Sequence, residues 1–376
     1  MKITEIRTRR AGDALVVAVD TDDGLSGFGE SVCWAYPESV EVTVQKFARY
    51  LVGKDPTRIE HHWHMMWRMG PFRGAVIASA VSVLDVALWD LQGQRLGVPV
   101  HELLGGPYRE RIRLHKMIDG ADAETLGQAA REAADEGFTA VKFDPLGGAA
   151  FDRSLPAIVD EAVNRLTAIR DASGGVVDMI VEVHRALSPH QIPALVDALR
   201  QFRPLYIEDP VQIDTIDVQT GLTRLGVPLG LGERWQSLWE IREALAAGGP
   251  FVVRADVNMS GGISAARKIA AVAEAHHAQV SWHNYLGPVS DAATLSVDAA
   301  IPNVLTHEHC PEMQVLFGEA VTSDWRVDDG HMVVSSTPGL GVKVDLEKFP
   351  DHIAFIGGEL HDEVPLRSDG SVAFAL

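Results

Sequence analysis

Three glutamates, Glu182, Glu208 and Glu233, each close a short apolar run: MIVEVH, LYIEDP and LGLGER. Asp256, His283 and Glu308 close three further runs. Along this series the intervals are 26, 25, 23, 27 and 25 residues. That spacing is about one strand–helix unit each time, so each strand delivers one ionisable group to the same rim. Three carboxylates converging from adjacent strands would repel and raise one another's pKa. A hard divalent cation removes that conflict. An all-oxygen set with no cysteine favours Mg²⁺, or Mn²⁺, over zinc.

Asp256 and His283 fall on neighbouring strands. A carboxylate beside an imidazole fixes its tautomer and steadies its protonated form, which is the equipment of a general base. His184 follows Glu182 by two residues, so strand parity turns both to one side. There His184 serves either as an acid for a leaving hydroxyl or as a support for Glu182. Lys142 and Asp144, in VKFDP, share a face by the same parity. Lys142 either brings positive charge to the substrate and the metal ligands or pairs with Asp144. Glu308, if protonated, can donate a hydrogen bond to an enolate oxygen. His61, His62 and His64 lie on an expected helix at spacings that do not suit metal ligation.

The elements that must position these groups follow from the hydrophobic pattern. Residues 2–7 and 14–20, the turn at 22–24 and Gly27-Phe28-Gly29-Glu30 read as an antiparallel meander. Helices follow, among them 79–95. From about Ile112 eight short apolar runs alternate with Ala-rich helical stretches, the rhythm of a parallel sheet closed into a barrel. No Gly-rich phosphate fingerprint follows the first of these runs, which disfavours a doubly wound open sheet. The expected division is residues 1–110 as the first part of a cap, 111–317 as the barrel, and 318–376 as a tail packing back on the cap.

The chain has 376 residues and a formal net charge of −19. A surface this acidic repels nucleic acid, and an anionic substrate then needs local positive charge. Cys33 and Cys310 are the two cysteines and form no CxxC pair, so a reduced cytoplasmic protein is expected. The first ten residues, MKITEIRTRR, do not resemble a secretory signal, and no membrane span is expected.

The ordered set Lys142, Glu182-X-His184, Glu208-Asp209-Pro210, Gly232-Glu233-Arg234, Asp256 with Gly261-Gly262-Ile263, His283 and Glu308 resembles the mandelate racemase subgroup of the enolase superfamily. Within it the chain is most similar to the D-galactonate dehydratases and related acid-sugar dehydratases. Phe72-Arg73-Gly74, Leu286-Gly287-Pro288 and Pro338-Gly339-Leu340-Gly341 extend the likeness over nearly the whole chain. The resemblance implies a modified TIM barrel, (β/α)7β, under an α+β cap. It implies Mg²⁺ on Glu182, Glu208 and Glu233, His283 with Asp256 as the base, and His184 as the acid that expels a β-hydroxyl. It further implies a small sugar-acid substrate, a 2-keto-3-deoxy product and a homo-oligomer. A sugar-acid epimerase working between His283 and Lys142, or a non-catalytic sugar-acid-binding protein, are the alternatives.

The departures bear on substrate. Asp144 stands where racemases of the subgroup carry a second lysine. Arg254-Ala255 replaces the Gln-Pro pair usual in the galactonate enzymes, and parity with Asp256 turns Arg254 into the pocket, where it is expected to contact substrate. Trp282 lies in a stretch that also differs from the usual pattern. Trp34, Tyr36 and Arg73 sit where substrate-selecting cap residues are expected.

Overall fold

The structure is a computed structural model that describes all residues except 12–13, 32, 34–35, 149, 350–365 and 374–376. Strands β1 (Ile3–Ala11), β2 (Ala14–Thr21) and β3 (Ser26–Ser31) form the antiparallel meander. Helices α1 (Pro37–Leu51), α2 (Ile59–Arg68) and α3 (Ala75–Leu96) follow and complete the front of a cap, with a short turn of helix, α4 (Val100–Leu103), beyond them.

The glycines of the GFGE motif have a packing reason. A Cβ on Gly27 would lie 2.2 Å from the Ala87 carbonyl oxygen, and one on Gly29 would lie 2.0 Å from that of Val83. Helix α3 therefore rests directly on the β3 backbone, which only hydrogen side chains permit. Of the described helices, α3 alone is long and apolar enough to cross a membrane, but 72% of that stretch is buried within the fold. It is the core helix of the cap.

The eight apolar runs become eight parallel strands: β4 (Arg111–Met117), β5 (Ala140–Phe143), β6 (Asp178–Glu182), β7 (Tyr206–Glu208), β8 (Leu229–Leu231), β9 (Val252–Val253), β10 (Gln279–Val280) and β11 (His307–His309). They pair in chain order. A bridge from Val280 to Val304 and the pairing of β11 with β4 close the ring. Helices α5 (Ala123–Asp135), α6 (Leu155–Ala172), α7 (Ile192–Leu199), α8 (Ile216–Gly221), α9 (Leu238–Ala246), α10 (Gly262–Ala275) and α11 (Pro288–Ala300) alternate with them, giving (β/α)7β. Past the barrel, β12 (Val321–Ser323), β13 (Arg326–Asp328), β14 (His331–Val333) and β15 (Val342–Val344) are short. Strand β14 pairs with the start of β4, while Gly339 and Leu340 hydrogen-bond Val98, Val100 and Asp90 of the cap.

The cap grips the barrel where two of the candidate residues are carried. The Glu30 carboxylate accepts backbone N–H groups of Gly287, Val289 and Ser290 at the start of α11, just after His283. Asp85 accepts the N–H and the hydroxyl of Ser264 in the first turn of α10, just after Asp256. Acidic groups at helix N-termini satisfy donors that the helix leaves open. Burial raises the Glu30 pKa to about 7 against the pull of these N–H groups, so Glu30→Gln is expected to lower stability by about 1–2 kcal/mol above that pH, where the carboxylate is ionised. The urea midpoint measures this, and an unchanged midpoint would count against the docking role.

Candidate active site

The carboxylates of Glu182, Glu208 and Glu233 meet at the C-terminal ends of β6, β7 and just past β8. Each can offer one oxygen such that all three lie within 4.8 Å of one another, and all three residues are buried. Among the described residues this is the one such group of potential metal ligands. Glu208 Oε2 is buried and makes no hydrogen bond, although Lys142 Nζ lies 3.1 Å away as a charge contact. Three buried carboxylates with an unused oxygen are a donor set that fits a hard divalent cation.

Lys142 does not pair with Asp144. Its ammonium lies inside the barrel, 2.9 Å from Glu182, 3.1 Å from Glu208 and 3.4 Å from Glu308. Burial alone would lower its pKa, but Glu208, Glu308 and Glu182 together raise it well above the usual lysine value. Asp144 falls beyond the end of β5, exposed, and accepts the Leu146 N–H at 2.6 Å in a local turn.

The opposite side of the cluster rests on arginines. Arg185 donates to Asp209 (2.8 Å) and Glu233 (3.1 Å), and Arg234 donates to Glu233 (3.0 Å). Burial favours a neutral Glu233, yet Arg185, His283 and Arg234 hold its pKa well below the usual range. Six linked carboxylates (Glu182, Glu208, Asp209, Glu233, Asp256, Glu308) meet only four permanent cations (Lys142, Arg185, Arg234, Arg254), and burial raises the pKa of Glu208 and, to about 7, that of Asp209.

Asp256 and His283 face one another across a parallel bridge beyond β9 and β10. Asp256 Oδ2 is 2.8 Å from His283 Nδ1. An ionised carboxylate only accepts, so Nδ1 carries the proton and Nε2 is left for chemistry, 3.8 Å from Glu233 Oε1. Burial works to lower the His283 pKa, but Glu233 and Asp256 outweigh it and raise it.

His184 is placed by something other than strand parity. Strand β6 ends at Glu182, and His184 and Arg185 adopt left-handed backbone, φ 56° and 62°. Asp209, just past β7, does the same at φ 37°. Such conformations cost energy in residues with a Cβ and gather at functional sites. The turn aims the His184 N–H at Glu182 Oε1 (2.8 Å) and leaves the residue partly exposed at the mouth. Burial of the ring among the rim groups, and then Arg185, hold its pKa below the ordinary value.

Glu308 is fully buried between Arg254 and Lys142. Burial would keep it neutral, but the two cations hold its pKa well below the carboxylate range. It stands here as an acceptor, whereas the expected enolate role has Glu308 protonated and donating. The Arg254 side chain is also fully buried, as parity required, but it reaches protein rather than pocket. It donates to Glu208, Glu308 and the carbonyls of Ser281 and Trp282. Trp282 itself packs in the core with no exposed surface. Neither side chain is presented to a substrate here, because both are consumed by the barrel interior.

Tyr36 caps the start of α1 and is exposed. Arg73, also exposed, donates to Gly70 and Phe72 carbonyls and lies over the Trp67 ring. The expectation for Trp34 falls outside the described residues. In the cap, His62 is buried against Tyr50 and the Asp55 carbonyl, while His64 pairs with Glu60.

Sequence reasoning gave no role to Arg185, Asp209 or His115. His115, on β4, is buried with Nε2 3.8 Å from Glu308. Its signal was available, since it is a polar residue inside an apolar run. Arg185 gave none, because its position depends on a backbone turn.

Comparison with known proteins places this geometry in context. The description "Enolase C-terminal domain-like" matches residues 125–348, and "Mandelate racemase / muconate lactonizing enzyme, N-terminal domain" matches residues 2–105. The chain is 36% identical to a D-galactonate dehydratase of Verminephrobacter eiseniae, covering 99% of this chain and 100% of that one. It is 35% identical to a D-galactonate dehydratase of Variovorax paradoxus over the same shares. In three dimensions it is similar to a crystal structure of an enolase from Agrobacterium radiobacter bound to Na and L-malate. The TM-score is 0.91, with 29% identity and full coverage of both chains.

Proposed function

Because this chain belongs to the mandelate racemase and muconate lactonizing family of the enolase superfamily, we propose that it is a Mg²⁺-dependent acid-sugar dehydratase giving a 2-keto-3-deoxy sugar acid. Its full-length likeness to D-galactonate dehydratases makes it a hydro-lyase of acid sugars. The observation that carries the finer reading is the meeting of three buried carboxylates beside a His283–Asp256 pair.

In this reading Glu182, Glu208 and Glu233 hold the cation. The cation supplies charge stabilisation for a substrate carboxylate whose neighbouring carbon loses a proton. Superfamily sites of this kind are among the standard examples of such chemistry. His283 Nε2 takes that proton, and Asp256 steadies the imidazolium that results. Lys142, locked among carboxylates, adds fixed positive charge. Its ammonium is held against Glu182, Glu208 and Glu308 rather than left free to take a proton, which weighs against an epimerase working between His283 and Lys142. The C–O bond to the β-hydroxyl then breaks, and His184 donates the proton that lets it leave as water. The resulting enol becomes the 2-keto product. His184 is neutral at pH 7 in this arrangement, so its acid role depends on an anionic substrate beside it raising its pKa.

The test separates the two proton transfers. In a panel of aldonic and aldaric acids with Mg²⁺, the wild type should give a 2-keto acid from at least one member, detected by carbonyl trapping. His184→Asn should lower dehydration about 10²–10⁴-fold while α-proton exchange with D₂O continues. Retained dehydration with lost exchange would reverse the assignment. An epimer as product would replace the dehydratase reading.

A further inference from the structure

We propose that Arg254 is a positioning residue that turns Glu208 into a one-oxygen ligand and thereby sets which cation the site prefers. This rests on the reading of Glu182, Glu208 and Glu233 as cation ligands. Arg254 follows β9 directly, and its side chain crosses the barrel interior. Nε donates to Glu208 Oε1 at 2.6 Å, and one terminal nitrogen donates to Glu308 Oε2. The other terminal nitrogen donates to the Ser281 carbonyl at 2.6 Å and the Trp282 carbonyl at 2.8 Å. One guanidinium thus ties β7, the segment after β10, and β11 to its own strand. A planar fork with fixed donor directions suits this task, and an ammonium does not.

The barrel keeps room for it. Arg254 must pass β8 to reach Glu208, and the residue there is Gly230. A Cβ on Gly230 would lie 2.5 Å from the Tyr206 ring and 3.1 Å from Arg254 Cγ. Glycine at 230 therefore leaves room first for the Tyr206 ring and, beside it, for the stem of Arg254.

The consequence concerns the two oxygens of Glu208. Oε1 is spent on Arg254, while Oε2 makes no hydrogen bond. A carboxylate fixed in this way offers one oxygen and cannot swing to chelate with both. Mg²⁺ demands near-octahedral geometry with few protein oxygens, whereas Ca²⁺ readily takes bidentate carboxylates and higher coordination numbers. Arg254 therefore biases the site towards the smaller ion. Lys142, Arg254, Glu208 and Glu308 also form a closed ring of two cations and two anions, so removing the arginine alone would strand buried charge.

The experiment is Mn²⁺ binding to full-length protein, followed by the EPR signal of free Mn²⁺, with Mg²⁺ and Ca²⁺ as competitors. The variants are Arg254→Lys, which keeps the charge, and the double variant R254Q/E308Q, which removes one charge of each sign. Near-UV circular dichroism identifies which of them folds. The folded variant is expected to bind Mn²⁺ about 10-fold more weakly, the scale typical of residues that orient a ligand. The Mg²⁺-over-Ca²⁺ preference should fall by at least about fivefold, because a freed Glu208 can chelate the larger ion. An affinity and a preference both unchanged would overturn the proposal. So would an equal loss for every cation, which general structural damage would produce. Absence of Mn²⁺ binding by the wild type would instead remove the metal reading itself, and the proposal with it.

Discussion

Replacing His283 by asparagine is expected to abolish both dehydration and exchange of the substrate α-proton with D₂O, each by about 10³–10⁴-fold. Both losses must occur together, because His283 acts before the β-hydroxyl leaves. This separates it from His184, whose loss should spare exchange. The substitution keeps a planar polar side chain of similar length, so Asp256 retains a donor and the loop before α11 retains its anchor on Glu30. Mn²⁺ binding should persist, since the ligand carboxylates are untouched. Exchange at the wild-type rate in H283N would end the assignment of the base. A companion experiment uses the pKa shift. Glu233 and Asp256 raise the His283 pKa, so Asp256→Asn should lower it. Activity requires the neutral ring, so the acid limb of kcat/KM should then move to lower pH. A strong fall in kcat should accompany it, because asparagine no longer fixes the tautomer.

Stripping divalent cations with EDTA is expected to reduce turnover to background, and Mg²⁺, or Mn²⁺ in its place, should restore it. The physical ground is the charge balance of the cluster, six carboxylates against four permanent cations. With more carboxylates than fixed cations, the cluster has no positive charge to spare for a further anion in the form of a substrate carboxylate. The same balance predicts a readout without turnover. Mg²⁺ at about 100 times its Kd should stabilise the fold by about 2.7 kcal/mol, seen as a rise in the urea midpoint. The Glu208→Gln variant should lose most of that rise. Full turnover in protein shown by elemental analysis to be metal-free would defeat the cation assignment.

The order of the ionisable residues determined much about this protein without reference to its fold. Intervals of 23 to 27 residues between Glu182, Glu208, Glu233, Asp256, His283 and Glu308 match one strand and one helix each. A parallel strand fixes which end of the barrel its last residue occupies, so a regular series of such residues determines a common rim. The barrel and the meeting of the three glutamates follow from local pattern alone, because strand length and helix length are local quantities.

Where each side chain spends its donors was decided only in three dimensions. His184 leaves the strand through a left-handed turn, so alternation could not place it. Lys142 takes three glutamates rather than the nearby Asp144. Arg254 turns inward as alternation required, yet its partners lie 46 and 54 residues away and depend on the space left at Gly230. The hold of Glu30 on α11 spans 257 residues. These choices minimise unpaired charge in a buried volume, and that sum is taken over strands far apart in the chain.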